Sequence, residues 1–202
     1  MIAKDNPETR ERAAAIVAAG GVIAFLTDTF YGLGADPLNA DAVRKIKNLK
    51  GREDNKPILI LISDLAEVDR FIQQAEFFKL VARKHWPAAL TLIGAARSVV
   101  PDDLTAGTKS LGVRLPDDVN VRTLVRACGG ALTATSANAS GKPPARTATE
   151  VANYFPTGLD LIVDGGDATV TEPSTVLDVT TTRAQLVREG LITRDTLRDL
   201  LE

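Results

Sequence analysis

The 202 residues contain one cysteine, Cys128, and one histidine, His85. A lone cysteine excludes an internal disulfide framework and any thiolate metal cluster within one chain. A lone histidine excludes multi-histidine zinc sites and leaves little room for a cysteine–histidine nucleophile. Trp86 is the only tryptophan and aromatics make up 4% of the chain, too few for an aromatic platform that stacks nucleic-acid bases. Charge of one sign is also lacking. Lys and Arg number 24 against 26 Asp and Glu, a formal net charge of −2, so no bulk basicity draws the chain to nucleic acid or an anionic membrane. No apolar run reaches transmembrane length, and the N-terminus Met1-Ile2-Ala3-Lys4 carries no signal core, which predicts a cytoplasmic protein.

What is present is an ordinary globular composition, 45% hydrophobic and 25% charged, with a mean hydropathy of +0.02. A chain this long buries roughly 70% of its unfolded surface and needs no metal or disulfide to hold a core. We expect a single domain over residues 1–202. Asn6-Pro7-Glu8 reads as an N-cap, a first-turn proline and an acid suited to the helix dipole, with the helix stopping at Gly20-Gly21. Val22 to Leu26 is β-prone, and Thr27 to Gly34 reads as a polar, glycine-containing loop. A helix is expected over about 41–49, one or two helices over 64–86, and another over 119–128. Pro57 to Ile62 is continuously apolar, as in a central strand buried on both faces. Further strands are expected at 90–93, 111–115, 131–134, 161–163, 175–179 and 185–188. Thr147 to Glu150 has the form of a capping box, and Thr193 is placed to cap a last helix. Strands and helices alternate irregularly, which predicts an α/β fold with a mixed sheet covered by helices.

Three segments could carry chemistry. Residues 44–56 hold six cations and two acids in a chain that is acidic as a whole. Lys50, Arg52 and Lys56 fall beyond the expected helix, around Gly51 and before the apolar strand, where ligands commonly sit. Three cations there suit a triphosphate; the alternative is a solvated basic helix face. Thr135 to Gly141 is small and polar after a short strand and could hold phosphate or carboxylate oxygens, or could be an ordinary turn. It is no Walker loop, and Gly32-Leu33-Gly34 lacks the third glycine of a dinucleotide fingerprint. Arg114, on the apolar run Leu111 to Leu115, is costly to bury unless it meets an anion; otherwise its head reaches water. Cys128 reads as a small buried hydrophobe at a helix end.

Taken together, these segments resemble the YrdC-type threonylcarbamoyl-AMP synthases. The matching pieces are Thr27-Asp28-Thr29-Phe30-Tyr31-Gly32-Leu33-Gly34, Lys50-Gly51-Arg52, Lys56-Pro57, Leu90-Thr91-Leu92, Gly112-Val113-Arg114-Leu115-Pro116, Thr135-Ser136-Ala137-Asn138-Ala139-Ser140-Gly141 and Ser174-Thr175-Val176. They stand in the family's order over about residues 10–190. The resemblance implies a twisted, open, mixed β-sheet flanked by helices around a concave basic cavity, without the extra C-terminal domain of longer relatives. It implies L-threonylcarbamoyladenylate synthesis from L-threonine, bicarbonate and ATP, with pyrophosphate leaving. Partner transferases then carry the threonylcarbamoyl group to tRNA.

The same resemblance implies roles residue by residue. Lys50 and Arg52 would be catalytic. Arg52, Lys56, Ser110, Ser136, Asn138, Pro144 and Arg188 would bind ATP. Thr29, Leu61, Arg114, Ala134 and Ser174 would bind threonine, with Arg114 on its carboxylate. Mg²⁺ is expected with ATP, held by phosphates and water rather than by a protein site. Three departures stand out. Leu26 replaces a proline, Leu61 stands where many members place a histidine near threonine, and Trp86 to Thr91 replaces a Pro-Gly-Pro run. They suggest the alternative of a YciO-like paralogue acting mainly through RNA binding, which in a net-acidic chain should be weak. Leu61 itself, on the same side of its strand as Leu59, predicts a looser preference for threonine.

Overall fold

The structure, a computed structural model, describes residues 1–51, 56–73 and 76–201. In chain order the elements are β1 (Ile2–Lys4), α1 (Pro7–Ala18), β2 (Ile23–Leu26), β3 (Tyr31–Gly34), α2 (Ala40–Lys50) and β4 (Leu59–Ile62). Then come a 3₁₀ turn (Leu65–Glu67), α3 (Val68–Phe71), α4 (Glu76–His85), β5 (Leu90–Ala95), α5 (Asp102–Thr105), β6 (Ser110–Arg114) and α6 (Val119–Ala127). The chain continues through β7 (Ala131–Ser136), α7 (Ala148–Tyr154), β8 (Leu161–Asp164), β9 (Thr175–Asp178) and β10 (Gln185–Arg188), and ends with a 3₁₀ turn (Asp195–Leu197) and α8 (Arg198–Leu201).

The strands form one sheet in the order β1-β8-β2-β3-β7-β4-β6-β5-β9-β10. Pairs β1/β8, β2/β8, β4/β6 and β5/β9 are parallel and the other five antiparallel, as the irregular alternation predicts. The apolar run 57–62 supplies the central β4. Its Ile60 and Ile62 enter one core cluster and Leu61 the other. β7 changes partner along its length. Ala131 to Ala134 pair with β4, whereas Thr135 and Ser136 pair with β3.

Local chemistry sets the helix ends. Asn6, Asn39 and Asp118 cap α1, α2 and α6 through side-chain oxygens that accept backbone N–H groups. Thr147 accepts from Glu150 N at 3.1 Å, but the Glu150 carboxylate accepts from Arg146 N at 2.7 Å, one residue before the expected box partner. Gly51 ends α2 at φ 56°, the left-handed region in which a side chain is strained.

Two expectations change. Residues 27–34 are not all loop: Tyr31–Gly34 is β3, in a hairpin with β2. Its glycines hide the strand signal, and Gly34 is required because a Cβ there would lie 2.6 Å from Phe25 Cε1. Helix α2 also runs one residue further than expected, so Lys50 is its last residue and not part of the loop beyond.

The sheet's two faces are covered unequally. One face packs continuously against α2, α4, α7 and the neighbouring short helices, burying Ile46, Ile60, Phe71, Phe78 and Val151 in a single cluster. On the other, α1 and α6 cover only the region of Ile23, Phe25, Leu61 and Leu132. Residues on that same face of β4, β5, β6, β7 and β9 that lie beyond the reach of α1 and α6 line an open cavity.

Candidate active site

The cavity has a volume of about 680 Å³. Its floor follows from strand alternation. Ser110, Gly112 and Arg114 are alternate residues of β6, Thr91 and Ile93 of β5, and Ser174 and Val176 stand just before and on β9. The wall comes from the β2–β3 turn with Thr27 and Thr29, and from the segment after β7 with Ser136, Asn138, Ser140 and Gly141. Four cations line it, Lys50, Lys56, Arg114 and Arg188, and among the described residues no carboxylate does. In a chain of net charge −2 this concentrates positive charge where a polyanion could enter.

Lys50 reaches from the end of α2 into the segment after β7. Its Nζ donates to Ser136 O, to Asn138 O at 2.9 Å and to Asn138 Oδ1 at 3.2 Å, while its own carbonyl accepts from Ser140 N at 3.1 Å. The Asn138 amide completes the knot by donating to Ala139 O and Lys142 O. Here Lys50 and Asn138 shape the loop that presents Ser136 to the cavity.

Arg114 is 4% exposed and meets the anion its burial requires: its Nη2 lies 2.9 Å from Asp28 Oδ1. The pair is not saturated, since Arg114 Nε and Asp28 Oδ2 are buried without hydrogen-bond partners. Burial pushes the Asp28 carboxyl up, and the Arg114 guanidinium opposes this only in part. Burial likewise lowers the Arg114 guanidinium, with Arg188 adding to the effect. A buried guanidinium with an open donor edge on a cavity is suited to a second carboxylate.

Opposite stands a hydroxyl cluster. Thr91 Oγ1 and Ser174 Oγ are 2.9 Å apart, and Arg188 donates to Ser174 O at 2.8 Å and to Ser174 Oγ at 3.3 Å. On the turn, Thr27 Oγ1 donates to Phe30 O at 2.7 Å, accepts from Thr29 N at 3.1 Å and lies 3.1 Å from Thr29 Oγ1.

Of the residues named from sequence, Thr29, Lys50, Lys56, Ser110, Arg114, Ala134, Ser136, Asn138, Pro144, Ser174 and Arg188 all line this cavity. Arg52 lies outside the described residues. Leu61 stands apart from them. It lies on the same face as Leu59, as alternation requires, and in register with Arg114, but it is fully buried beside Val121 and Leu124 of α6 and does not line the cavity. Period two assigns a residue to a face; it does not say where the covering helix ends. Sequence reading placed Thr27, Asp28 and Thr91 within matching motifs but gave them no role in the site. A threonine between two leucines on a buried strand was the available signal for Thr91. Cys128 caps the end of α6, and burial pushes its thiol up to about 12, which removes it as a nucleophile. Among the described residues no group of three or more His, Cys, Asp or Glu side chains could hold a metal ion. No helix among them is long and apolar enough to cross a membrane.

Comparison with known proteins follows the same outline. A family model named for Sua5, YciO and YrdC, with the description "Telomere recombination", matches residues 15–190. The threonylcarbamoyl-AMP synthase of Bacillus subtilis is 36% identical over 205 aligned positions, covering 99% of this chain and 58% of that protein. The crystal structure of Pyrococcus abyssi Sua5 complexed with L-threonine superposes with a TM-score of 0.91 at 31% identity, covering 99% of this chain and 59% of that one. E. coli YciO superposes at a TM-score of 0.82 and 27% identity, covering 98% and 96% of the two chains. The chain thus spans little more than half the length of the Bacillus and Pyrococcus proteins it matches.

Proposed function

The chain belongs to the Sua5/YciO/YrdC family, and from that premise we propose that it is a threonylcarbamoyl-AMP synthase. The reaction joins L-threonine, bicarbonate and ATP into threonylcarbamoyl-AMP, releasing pyrophosphate and water. The observation that carries the reading is the cavity itself: four cations, no carboxylate among its described lining, and a buried arginine with an open donor edge. The relatives' names support the synthase over an RNA-binding module.

The chemistry needs alignment and charge neutralisation more than a protein nucleophile. Threonine's amine condenses with bicarbonate to a carbamate. A carbamate oxygen attacks the α-phosphorus of ATP, and the bond to the β-phosphate oxygen breaks as pyrophosphate leaves in line. A volume of about 680 Å³ accommodates a nucleotide and a small amino acid. Arg114 takes the amino-acid carboxylate on the edge that Asp28 leaves open. Thr29 and Ser174 lie against the rest of the amino acid, and Ala134 forms its apolar wall. Lys56 and Arg188 neutralise phosphates at the rim, Ser110, Ser136 and Pro144 contact the nucleotide, and Lys50 and Asn138 hold their loop in shape. The described lining offers no donor set for a resident Mg²⁺, so the ion would arrive on the phosphates. The product is a mixed anhydride, ready for a transferase that modifies tRNA.

The test is pyrophosphate release from ATP. Release that requires both threonine and bicarbonate is the expected result; equal release with threonine omitted would sink the reading.

A further inference from the structure

The turn that joins β2 to β3 carries a proton ledger with one solution. A threonine hydroxyl has one proton to donate and two lone pairs to accept with. The proton of Thr27 Oγ1 goes to Phe30 O, 2.7 Å away, because a carbonyl can only accept. One of its lone pairs takes Thr29 N–H at 3.1 Å. At the 3.1 Å contact with Thr29 Oγ1, Thr27 therefore has no proton left to give, and Thr29 must be the donor. Both side chains are more than nine-tenths buried, and both line the cavity, so water does not readily rescramble the arrangement. With its proton spent on Thr27, Thr29 Oγ1 has only lone pairs to offer a ligand.

We propose that Thr27 is a positioning residue that fixes Thr29 as a pure hydrogen-bond acceptor toward the cavity, and that Thr29 takes a hydrogen-bond donor of the amino-acid substrate. This rests on the synthase reading and deepens it. The donor is either the nitrogen N–H, which survives carbamate formation, or the side-chain O–H. The substrate carboxylate is excluded at this wall, because two acceptors face to face repel. The opposite ends of the amino acid are thereby sorted: its carboxylate goes to Arg114, whose Nε has no partner, and a donor goes to Thr29. Where that donor is the side-chain O–H, the arrangement also supplies the polar discrimination that the buried Leu61 cannot.

The test measures KM for threonine and for ATP in Thr27→Val, Thr27→Ser, Thr29→Val and wild type. Losing an oriented hydrogen bond should raise the threonine KM of Thr27→Val about tenfold, leave the ATP KM within about twofold, and be reversed by Thr27→Ser. An unchanged threonine KM overturns the proposal, as does an equal rise in both KM values, which would mark general damage to the turn. Thr29→Val, which leaves the Thr27 bonds to Phe30 intact, guards against misfolding of the first variant. Its effect on threonine and on valine as alternative substrates identifies the donor. A loss for both points to N–H, and a loss for threonine alone points to O–H. Calorimetric titration with threonine separates the two hypotheses. If wild type binds threonine but releases pyrophosphate without it, the synthase reading fails, and weaker binding by Thr29→Val still upholds the acceptor wall. Equal binding by wild type and Thr29→Val, or no binding to wild type, overturns it.

Discussion

Replacing Lys50 with methionine tests how the cavity's loop is held. Methionine keeps the length and most of the volume of the side chain but removes three donors. Ser136 O retains a partner, Asn138 N at 3.0 Å. Asn138 O and Asn138 Oδ1 lose the ammonium that now reaches them at 2.9 and 3.2 Å. A stranded buried acceptor costs about 1–3 kcal/mol, so two cost about 2–6 kcal/mol. Part of this is recovered because an ammonium, at a residue only 6% exposed, no longer has to be desolvated. A net loss of about 2–4 kcal/mol is expected, read as a lower denaturant midpoint with an unchanged slope. The damage falls on the loop of Ser136 to Lys142, so the ATP KM should rise more than the threonine KM. If Lys50 were a solvated member of a basic face, Lys50→Met would shift stability by less than about 0.5 kcal/mol. That result, with an unchanged ATP KM, would refute the loop-ordering argument.

Three further outcomes follow from the same geometry. Leu61→His should not tighten threonine preference; it buries an imidazole among Val121, Leu124 and Leu132 and should cost about 2–5 kcal/mol in chemical unfolding, whereas sharper rejection of valine would return Leu61 to the cavity wall. At Gly112 a Cβ would lie 3.2 Å from Leu59 Cβ and 3.2 Å from Thr91 Cγ2, so Gly112→Val should crowd the floor and raise substrate KM values on the order of tenfold, with Gly112→Ala milder; equal kinetics for both variants and wild type would show the floor unused. Asp28 has a higher affinity for its proton in the fold than unfolded, so its contribution to stability is greatest below its unfolded value and is lost as pH rises through the raised one. The thermal midpoint of wild type relative to Asp28→Asn should therefore fall as pH rises from about 3 to about 7, and a flat or rising difference would show that Arg114 outweighs burial.

Much of the site was legible because its residues are of types that conflict with their surroundings. An arginine on an apolar strand, a cluster of lysines in an acidic chain and a Ser-x-Asn segment after a short strand each demand an explanation, and Arg114, Lys50, Lys56, Ser136 and Asn138 from them line one cavity. Helix caps at Asn6 and Thr147 were equally plain, since each acts on an N–H group within three residues of itself, and Asn39 and Asp118 cap their helices in the same local way. Local interactions of this kind are written in adjacent letters, and so are the periods that tell helix from strand. Tertiary structure alone decided the rest. β1 is three residues long and exists because β8, about 160 residues later, pairs with it. Lys50 turns inward while Arg44, on the same helix, stays at the surface paired to Asp41 and Asp103; the difference lies in what the fold puts beside each. Leu61 and Leu59 share a face, but α6 ends its cover between them, leaving one in the core and the other at the cavity. Asp28 became part of the site only when β6 brought Arg114 to it from 86 positions away. Sequence period fixes the direction in which a side chain leaves its strand, and the distant element that packs there fixes whether it meets protein, partner or open space.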